Sequence, residues 1–369
     1  MTAKEEGVDD DGGEEEMTAI IEEDWSKHLG QQSMNSRFSH YDKTTIPLSI
    51  TSDEEDDKVN NPLVLEICCM NSLTPMDMMD LSYGYCDATG NRVWMGALLF
   101  IECMVRPLKK KTATAKSNNH DNNDLIKMKA LEKLRNILFC NKGVLELGAG
   151  TGVSSLSVAM AGTRDENIHV SQITLTDNDP NVLSLCKVNC EVNLQDSISY
   201  EVINLEWGNE RIASKMNPQD TVIATDVIYD IQAVKLLFQT ASHILKDGGY
   251  FVLSHVPRAS VDNAHDYSTK EVLENFIIEE AARHSLFTIS KNLELESKEK
   301  CKCYDDDSSI SPDLLGMLSQ DGCAIRPNDL KGIWGDGGKI MSSEQYSYDE
   351  MDSVGASIMI FVMNKSISE

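Results

Sequence analysis

Three glycines and an acid in the middle of the chain could bind a nucleotide-like ligand. Gly148, Gly150 and Gly152 stand at alternate positions after an apolar, strand-like run. Glycine permits positive φ and lets a ligand approach the backbone, as in the strand–turn–helix unit of doubly wound sheets. A dinucleotide fingerprint would place its third glycine at Val153, and the acid Glu146 would repel a pyrophosphate. The spacing therefore favours a cationic ligand with an amino-acid end, the alternative being a glycine-rich turn in an unrelated loop.

Two side chains that follow the next predicted strands could contact the rest of such a ligand. Asp177 can hydrogen-bond both hydroxyls of a ribose, as an acid at this place does in dinucleotide folds. It could instead cap the following helix, a role that Asn178 or Asp179 fits better because that helix begins at Pro180. The indole of Trp207 can lie against an adenine ring, or it can be an ordinary core tryptophan.

Another pair of side chains follows the fourth predicted strand. Asp226 and Tyr229 stand three residues apart in a turn. Because ligands bind at the carboxyl ends of parallel strands, both side chains should face the same pocket. Either one alone could be structural. Together they indicate a catalytic or substrate-positioning pair.

Strands and helices that alternate from Val144 onward must position these residues, and the alternation predicts a parallel sheet covered on both faces. Seven strands are predicted, at 144–147, 173–176, 200–204, 221–224, 250–255, near 287–295 and at 356–363. Helices between them are predicted near 153–161, 180–192, 231–245 and 269–284. Upstream, predicted strands at 63–69 and 81–86 precede predicted helices at 97–105 and 125–139.

Composition restricts the partners and the compartment. The chain of 369 residues has a formal net charge of −27, which disfavours nucleic acid and anionic membranes and suits a basic protein partner, unless the acids simply lie in solvated tails. The ten cysteines fall mostly in apolar elements, as reduced thiols do. Cys301, Cys303 and Cys323 lack the paired spacing of a metal site, so we expect no metal. Without a signal peptide or a bilayer-spanning apolar run, a cytoplasmic or nuclear protein is expected.

The order of the motifs resembles that of a known family. The motifs are Val93-Trp94-Met95-Gly96-Ala97-Leu98-Leu99, the glycine turn 143–152, Asp177, Asn189 with Asn193, Glu206-Trp207-Gly208 and Asp226-x-x-Tyr229. Together they resemble the family-16 seven-β-strand protein methyltransferases, which are class I S-adenosylmethionine-dependent enzymes and mostly lysine methyltransferases. The resemblance covers roughly residues 63–296 and 356–363.

This resemblance implies S-adenosyl-L-methionine as the cofactor and the ε-amine of a protein lysine as the methyl acceptor. It implies cofactor binding by Trp94, Glu146, Gly148, Ala149, Gly150, Gly152, Asp177, Trp207 and Thr225. Trp94 and the glycine turn would enclose the methionine end, with Glu146 near its amino group, whereas Thr225 would border the adenine pocket. Asp226 and Tyr229 would be the catalytic residues that face the incoming lysine.

The fold expected with this resemblance is α/β. We expect a Rossmann-like, seven-stranded, mostly parallel sheet with helices on both faces, an antiparallel last strand and an N-terminal β-hairpin and helix extension. Residues 1–58 are expected to be a largely disordered acidic tail, and 59–369 the methyltransferase domain. The parts of that domain would be the extension 59–140, the core 141–296 with 353–369, and an acidic, loop-like insertion 297–352.

Two other interpretations stay open, a methyltransferase for a non-protein acceptor and a cofactor-binding scaffold without catalysis. Enzymes that methylate nucleic-acid amines usually carry an Asn/Asp-Pro-Pro-aromatic turn where this chain has Asp226-Val227-Ile228-Tyr229. The intact glycine turn and both acids, Asp177 and Asp226, argue against the scaffold.

The linker 112–123 and the insertion 297–352 are untypical of the family and leave the substrate open. We expect a monomer that acts on a basic or lysine-exposing protein.

Overall fold

Strands and helices alternate through the part of the chain that a computed structural model describes, residues 41–48, 63–70, 88–108, 119–194, 198–257, 270–291, 309–319, 322–334 and 340–367. The strands are β1 (Asp42–Pro47), β2 (Val64–Cys69), β3 (Gly143–Leu147), β4 (Gln172–Asp177), β5 (Ser199–Asn204), β6 (Gln219–Thr225), β7 (Leu245–His255), β8 (Leu286–Thr288), β9 (Ala324–Ile325) and β10 (Ser357–Met363). The helices are α1 (Met95–Met104), α2 (Asn119–Phe139), α3 (Val153–Ala161), α4 (Pro180–Leu194), α5 (Glu210–Ala213), α6 (Ala233–Ile244), α7 (Lys270–Arg283), α8 (Pro312–Leu318), α9 (Pro327–Trp334) and α10 (Tyr348–Ser353).

The main sheet has the order β5-β4-β3-β6-β7-β10-β8, and the short β9 pairs with β10. Strands β3 to β7 are parallel to one another, whereas β10 is antiparallel to both β7 and β8. The predicted α/β fold with an antiparallel last strand is therefore confirmed, and β9 is an additional strand. The chain order reverses between β3 and β6, and the carboxyl edge of a sheet at such a point is where ligands bind.

Residues of β3 alternate between two hydrophobic layers. Val144 packs in the layer that contains α1 to α4, whereas Leu145 and Leu147 pack in the layer that contains α6 and α7. All three side chains are fully buried, as a central parallel strand requires, and each stabilises the fold by about 1.5–3 kcal/mol. The same alternation places Glu146 on the Val144 side of the sheet, beneath α3.

The predicted N-terminal hairpin is present, but its strands differ from the expected ones. β2 pairs antiparallel with β1, with Thr44 opposite Ile67. Residues 42–47 belong to the segment expected to be a disordered tail, and that expectation is wrong there because Ile46 and Leu48 are buried against the core. The strand expected at 81–86 lies outside the described residues.

The insertion 297–352 is not loop-like where the structure describes it. Its helices α8 and α9 pack on α2, and Glu102 in α1 accepts hydrogen bonds from the backbone nitrogens of Met341 and Ser342, both at 2.7 Å. The expectation is wrong because this acidic segment also contains buried apolar residues such as Leu315 and Ile333. Other bounds differ as well: α2 begins at Asn119, β7 begins at Leu245 and β8 ends at Thr288.

In the described segments, Cys68, Cys103, Cys140, Cys186 and Cys190 are free thiols, and no group of three or more His, Cys, Asp or Glu side chains has an arrangement that could bind a metal. Cys301 and Cys303 lie outside these segments. The described helices include none that is long and apolar enough to cross a bilayer.

Candidate active site

A cavity of about 420 Å³ lies at the carboxyl ends of β3, β4, β5 and β6. This volume is in the range of sites for small ligands and cofactors. The loops that follow these strands form one side, and residues 89–97 at the start of α1 form the other. The lining includes nine of the eleven predicted site residues, namely Trp94, Gly148, Ala149, Gly150, Asp177, Trp207, Thr225, Asp226 and Tyr229.

The glycine turn lies so close to its neighbours that a Cβ would collide with them. Gly148 has φ +65°, and a Cβ on it would lie 2.8 Å from Val227 Cγ1 and 3.1 Å from Trp207 Cζ2. Gly150 has φ +55°, and its Cβ would lie 3.0 Å from the carbonyl oxygen of Gly90. A left-handed backbone is unfavourable for other residues, so both conformation and close approach require glycine here.

Asp177 fixes the turn from the end of β4. Its Oδ2 accepts a hydrogen bond from the nitrogen of Gly150 at 3.1 Å, and its Oδ1 accepts from the nitrogens of Asn178 and Asp179 at 2.8 and 3.2 Å. Burial raises the pKa of Asp177, while these backbone hydrogen bonds oppose the shift. The nitrogen of Asn181, in the first turn of α4, donates to Asp179 Oδ1 at 2.7 Å. Asp179 therefore caps this helix end, whereas Asp177 accepts from the glycine turn.

Two tryptophans lie at the cavity wall. The indole nitrogen of Trp94 donates to the carbonyl of Thr89 at 2.8 Å, which fixes the ring at the start of α1. The Arg92 guanidinium lies 5.5 Å from the centre of that ring, within cation–π range. Trp207 is half-buried and packs against the layer that contains α6 and α7. Its ring can therefore present one part to the core and another to a ligand.

The structure gives Asp226 a second role that the sequence did not predict. Its φ is +60°, an uncommon value for a residue other than glycine. Oδ2 accepts from the nitrogen of Gly96 at 2.7 Å and Oδ1 from that of Val256 at 3.1 Å, while its own nitrogen donates to Ser254 at 2.7 Å. The carboxylate thus joins the start of α1 to the end of β7. Tyr229, by contrast, is 52% exposed at the cavity.

Glu146 and Gly152 are the two predicted site residues that do not line the cavity. Glu146 is fully buried, and its Oε2 accepts from the nitrogen of Ser155 in α3 at 3.0 Å. Burial raises its pKa to about 7, against the lowering effect of the Ser155 hydrogen bonds. The strand alternation points Glu146 under α3, so it does not line the cavity at which its contact with a ligand amino group was predicted. Gly152, with φ +77°, is the N-cap of α3.

Comparison with known proteins identifies the family. A family model described as lysine methyltransferase matches residues 77–270, more than half of the chain. This chain belongs to the lysine methyltransferase family.

Curated relatives of this lysine methyltransferase family member match over shorter stretches. A calmodulin-lysine N-methyltransferase of Arabidopsis thaliana is 28% identical over 29% of this chain and 34% of its own length. EEF1A lysine methyltransferase 3 of Xenopus tropicalis is 28% identical over 40% of this chain and 60% of its own length. Protein N-lysine methyltransferase METTL21A of the same frog is 30% identical over 34% and 54%. The chain thus spans between a third and three fifths of these relatives.

The cavity of this lysine methyltransferase family member fits S-adenosylmethionine. The glycine turn forms a cradle that a Cβ would fill, and an aromatic ring lies at the wall beyond it. Four acids line the cavity, namely Asp177, Asp179, Glu206 and Asp226, with Arg92 as the cation among the described lining residues. This excess of acid suits a sulfonium better than a phosphate. The residues present therefore fit the cofactor.

Several lining residues were missed from the sequence. Gly90 and Arg92 were not predicted as site residues, and the close approach of Gly90 to Gly150 depends on how α1 docks. Leu236 lines the cavity although it lies on α6 and is 41% exposed. Gly208 was the available signal in the sequence. In the structure it has φ +84°, and a Cβ on it would lie 2.9 Å from Leu236 Cδ2. A glycine directly after Trp207 could therefore have indicated close packing against a neighbouring helix.

Proposed function

We propose that this protein transfers a methyl group from S-adenosylmethionine to the ε-amine of a lysine in a protein substrate. The observation that carries the proposal is one cavity that combines the glycine turn, Asp177 and Trp207 with the exposed Tyr229. When bound, the cofactor supplies an electrophilic methyl group on a sulfonium.

The chain's own contribution to this reaction is alignment. An amine must approach along the bond between sulfur and methyl carbon, and positioning can lower such a barrier by several kcal/mol. Lysine has an ordinary pKa of about 10.4, so its proton must leave before transfer. Asp226 would stabilise the ammonium and raise that pKa, which makes it a positioning group, with the proton leaving to water. The face of the Tyr229 ring can stabilise the lysine ammonium before its proton leaves.

The acceptor that we propose is a basic or lysine-exposing protein segment. Support comes from the acids of the cavity and from Asp230, which is exposed beside Tyr229. The net charge of −27 supports the same choice over a nucleic acid. We also propose that the protein acts in the cytoplasm or nucleus, where buried thiols such as those of Cys103, Cys186 and Cys190 would stay reduced.

Two measurements test this function. Calorimetry should detect S-adenosylmethionine binding, and labelled cofactor in a lysate should transfer label to material that protease removes and nuclease does not. Tyr229→Ala is a suitable comparison because an exposed side chain is lost without disturbing the core; it should bind cofactor normally and transfer little label. Cofactor binding without any transfer of label would favour a scaffold, and nuclease-sensitive label would favour a nucleic-acid acceptor.

A further inference from the structure

Two asparagines one helical turn apart bind the N-terminal hairpin to α4. Asn189 Oδ1 accepts from the nitrogen of Cys68 at 2.8 Å, and its Nδ2 donates to the Cys68 carbonyl at 3.1 Å. Asn193 repeats the pattern on Glu66, with distances of 2.9 and 2.7 Å. Four helical residues rise about 6 Å, close to the roughly 6.8 Å between alternate strand residues. The two amides therefore pair with β2 as a neighbouring strand would.

The two asparagines differ in their third hydrogen bond. Nδ2 of Asn189 also donates to the carbonyl of Thr151 at 2.9 Å, whereas Nδ2 of Asn193 donates to the carbonyl of Asn189 within its own helix at 2.7 Å. Thr151 lines the cavity, is buried, and directly follows Gly150. Only the first asparagine therefore connects the hairpin to the glycine turn.

This contact also defines where α3 begins. If the helix started one residue earlier, the nitrogen of Ser155 would donate to the carbonyl of Thr151. Instead the Ser155 nitrogen donates to Glu146, and the Thr151 carbonyl accepts from Asn189. The Ser155 nitrogen and the Thr151 carbonyl are thus both bonded to side chains instead of to each other, which keeps the turn before Gly152 out of the helix. An open turn is the conformation in which its backbone can bind a ligand.

We propose that Asn189 is a positioning residue for the cofactor: its amide couples the docking of the hairpin at Cys68 to the conformation of the glycine turn at Thr151. The inference rests on the proposed function, since it assumes that the turn binds S-adenosylmethionine. It does not require that Asn189 touch the cofactor. Because coupling is reciprocal, hairpin docking strengthens cofactor binding, and cofactor binding strengthens hairpin docking.

Asn189→Ala and Asn193→Ala form a matched pair of variants of the full chain. Each removes two hydrogen bonds to β2, so both should lower the urea midpoint. Binding of S-adenosylhomocysteine, measured by calorimetry, should weaken about tenfold in Asn189→Ala, as expected for one lost buried hydrogen bond at the turn, and less than about twofold in Asn193→Ala. Equal weakening in both variants, or none in either, would overturn the proposal. Absence of binding in the wild type would instead contradict the proposed function.

A measurement on the wild type removes any dependence on variant folding. Hydrogen exchange should be followed at two backbone N–H groups of β2, that of Cys68, which donates to Asn189, and that of Glu66, which donates to Asn193. Saturating S-adenosylhomocysteine should slow exchange at Cys68 about fivefold or more and at Glu66 less than about twofold. Equal or absent protection at the two sites, with ligand bound, would contradict the coupling.

Discussion

Asp226 Oδ2 accepts a hydrogen bond from the backbone nitrogen of Gly96 at 2.7 Å, across 130 residues of sequence. The same carboxylate accepts from the nitrogen of Val256, so one side chain joins three segments at the carboxyl edge of the sheet. Trp94 lies two residues before Gly96, and its ring borders the cavity. Asp226 therefore positions the aromatic wall of the site, besides any contact that it makes with a lysine.

We expect Asp226→Ala to weaken both methylation and cofactor binding. The substitution leaves two backbone N–H groups without their acceptor at a nearly buried place, which should lower the free energy of unfolding by about 2–4 kcal/mol. Calorimetry with S-adenosylhomocysteine and urea unfolding would measure both effects. Tyr229→Ala is the comparison, because it should reduce transfer alone. Unchanged cofactor affinity in Asp226→Ala would show that the contact with Gly96 does not position the wall.

Gly96→Ala should reproduce part of the Asp226 defect without changing a polar group. A Cβ on Gly96 would lie 2.9 Å from Asp226 Cγ, whereas one on Gly316, which is also helical, meets nothing within 4 Å. Alanine favours a helix over glycine by up to about 1 kcal/mol, so Gly316→Ala should raise the thermal midpoint. Gly96→Ala should lower both the midpoint and cofactor affinity. If both variants were stabilised, the predicted steric conflict with Asp226 would be wrong.

Gly148→Ala should weaken cofactor binding, whereas Gly248→Ala should not. Gly148 and Gly248 both have left-handed φ, +65° and +74°, but a Cβ on Gly248 meets nothing within 4 Å. Both alanine variants should therefore lose about 1–2 kcal/mol of stability from backbone strain, and Gly148→Ala should lose more because its Cβ would lie 2.8 Å from Val227 Cγ1. Only Gly148→Ala introduces a methyl group into the cavity, and its affinity for S-adenosylhomocysteine should fall by more than about tenfold. Equal affinities in the two variants would argue against binding at this turn.

Glu146 should make stability fall as the pH rises from about 4.5 to 7. The folded protein binds this proton more tightly, since burial raises the pKa of Glu146 from 4.5 to about 7. This contribution to the free energy of unfolding is complete below pH 4.5, the pKa in the unfolded chain. It is lost as the pH rises through about 7, the pKa in the folded protein, and amounts to about 3 kcal/mol. Glu146→Gln does not titrate, so its stability relative to the wild type should increase between pH 5 and pH 8 in urea unfolding. Parallel stability curves would contradict this assignment.

Glu102 should be among the most sensitive positions for stability. It is fully buried and accepts hydrogen bonds from Arg106, Met341, Ser342 and Tyr348. Glu102→Gln breaks the buried ion pair and should cost about 3–5 kcal/mol. Asp349→Asn breaks an exposed pair in the same region and should cost less than about 1 kcal/mol. Urea midpoints would compare the two variants, and similar losses would show that the insertion is not anchored through Glu102.

Much of the fold and of the glycine turn was predictable because the residues that determine them are close together in sequence. Runs such as Val144 to Leu147, separated by helical patterns, specify a parallel sheet, since each strand buries both faces. The alternate glycines specify a turn that only residues without a Cβ can form. The hairpin strand at 42–47 was missed because its six residues are mostly polar and only Ile46 is fully buried. The helices of the insertion were hidden by its acidic composition.

The sequence by itself determined that residues following β3, β4, β5 and β6 meet at one cavity, because the ends of parallel strands must share one edge of the sheet. Tertiary structure decided what each of them does there. Only packing placed Glu146 under α3 rather than at the cavity, and only the docking of α1 made Asp226 the acceptor for Gly96. Likewise the pairing of Asn189 with both Cys68 and Thr151 joins segments far apart in sequence. A local pattern specifies backbone conformation, whereas hydrogen-bond partners depend on distances that only the folded chain fixes.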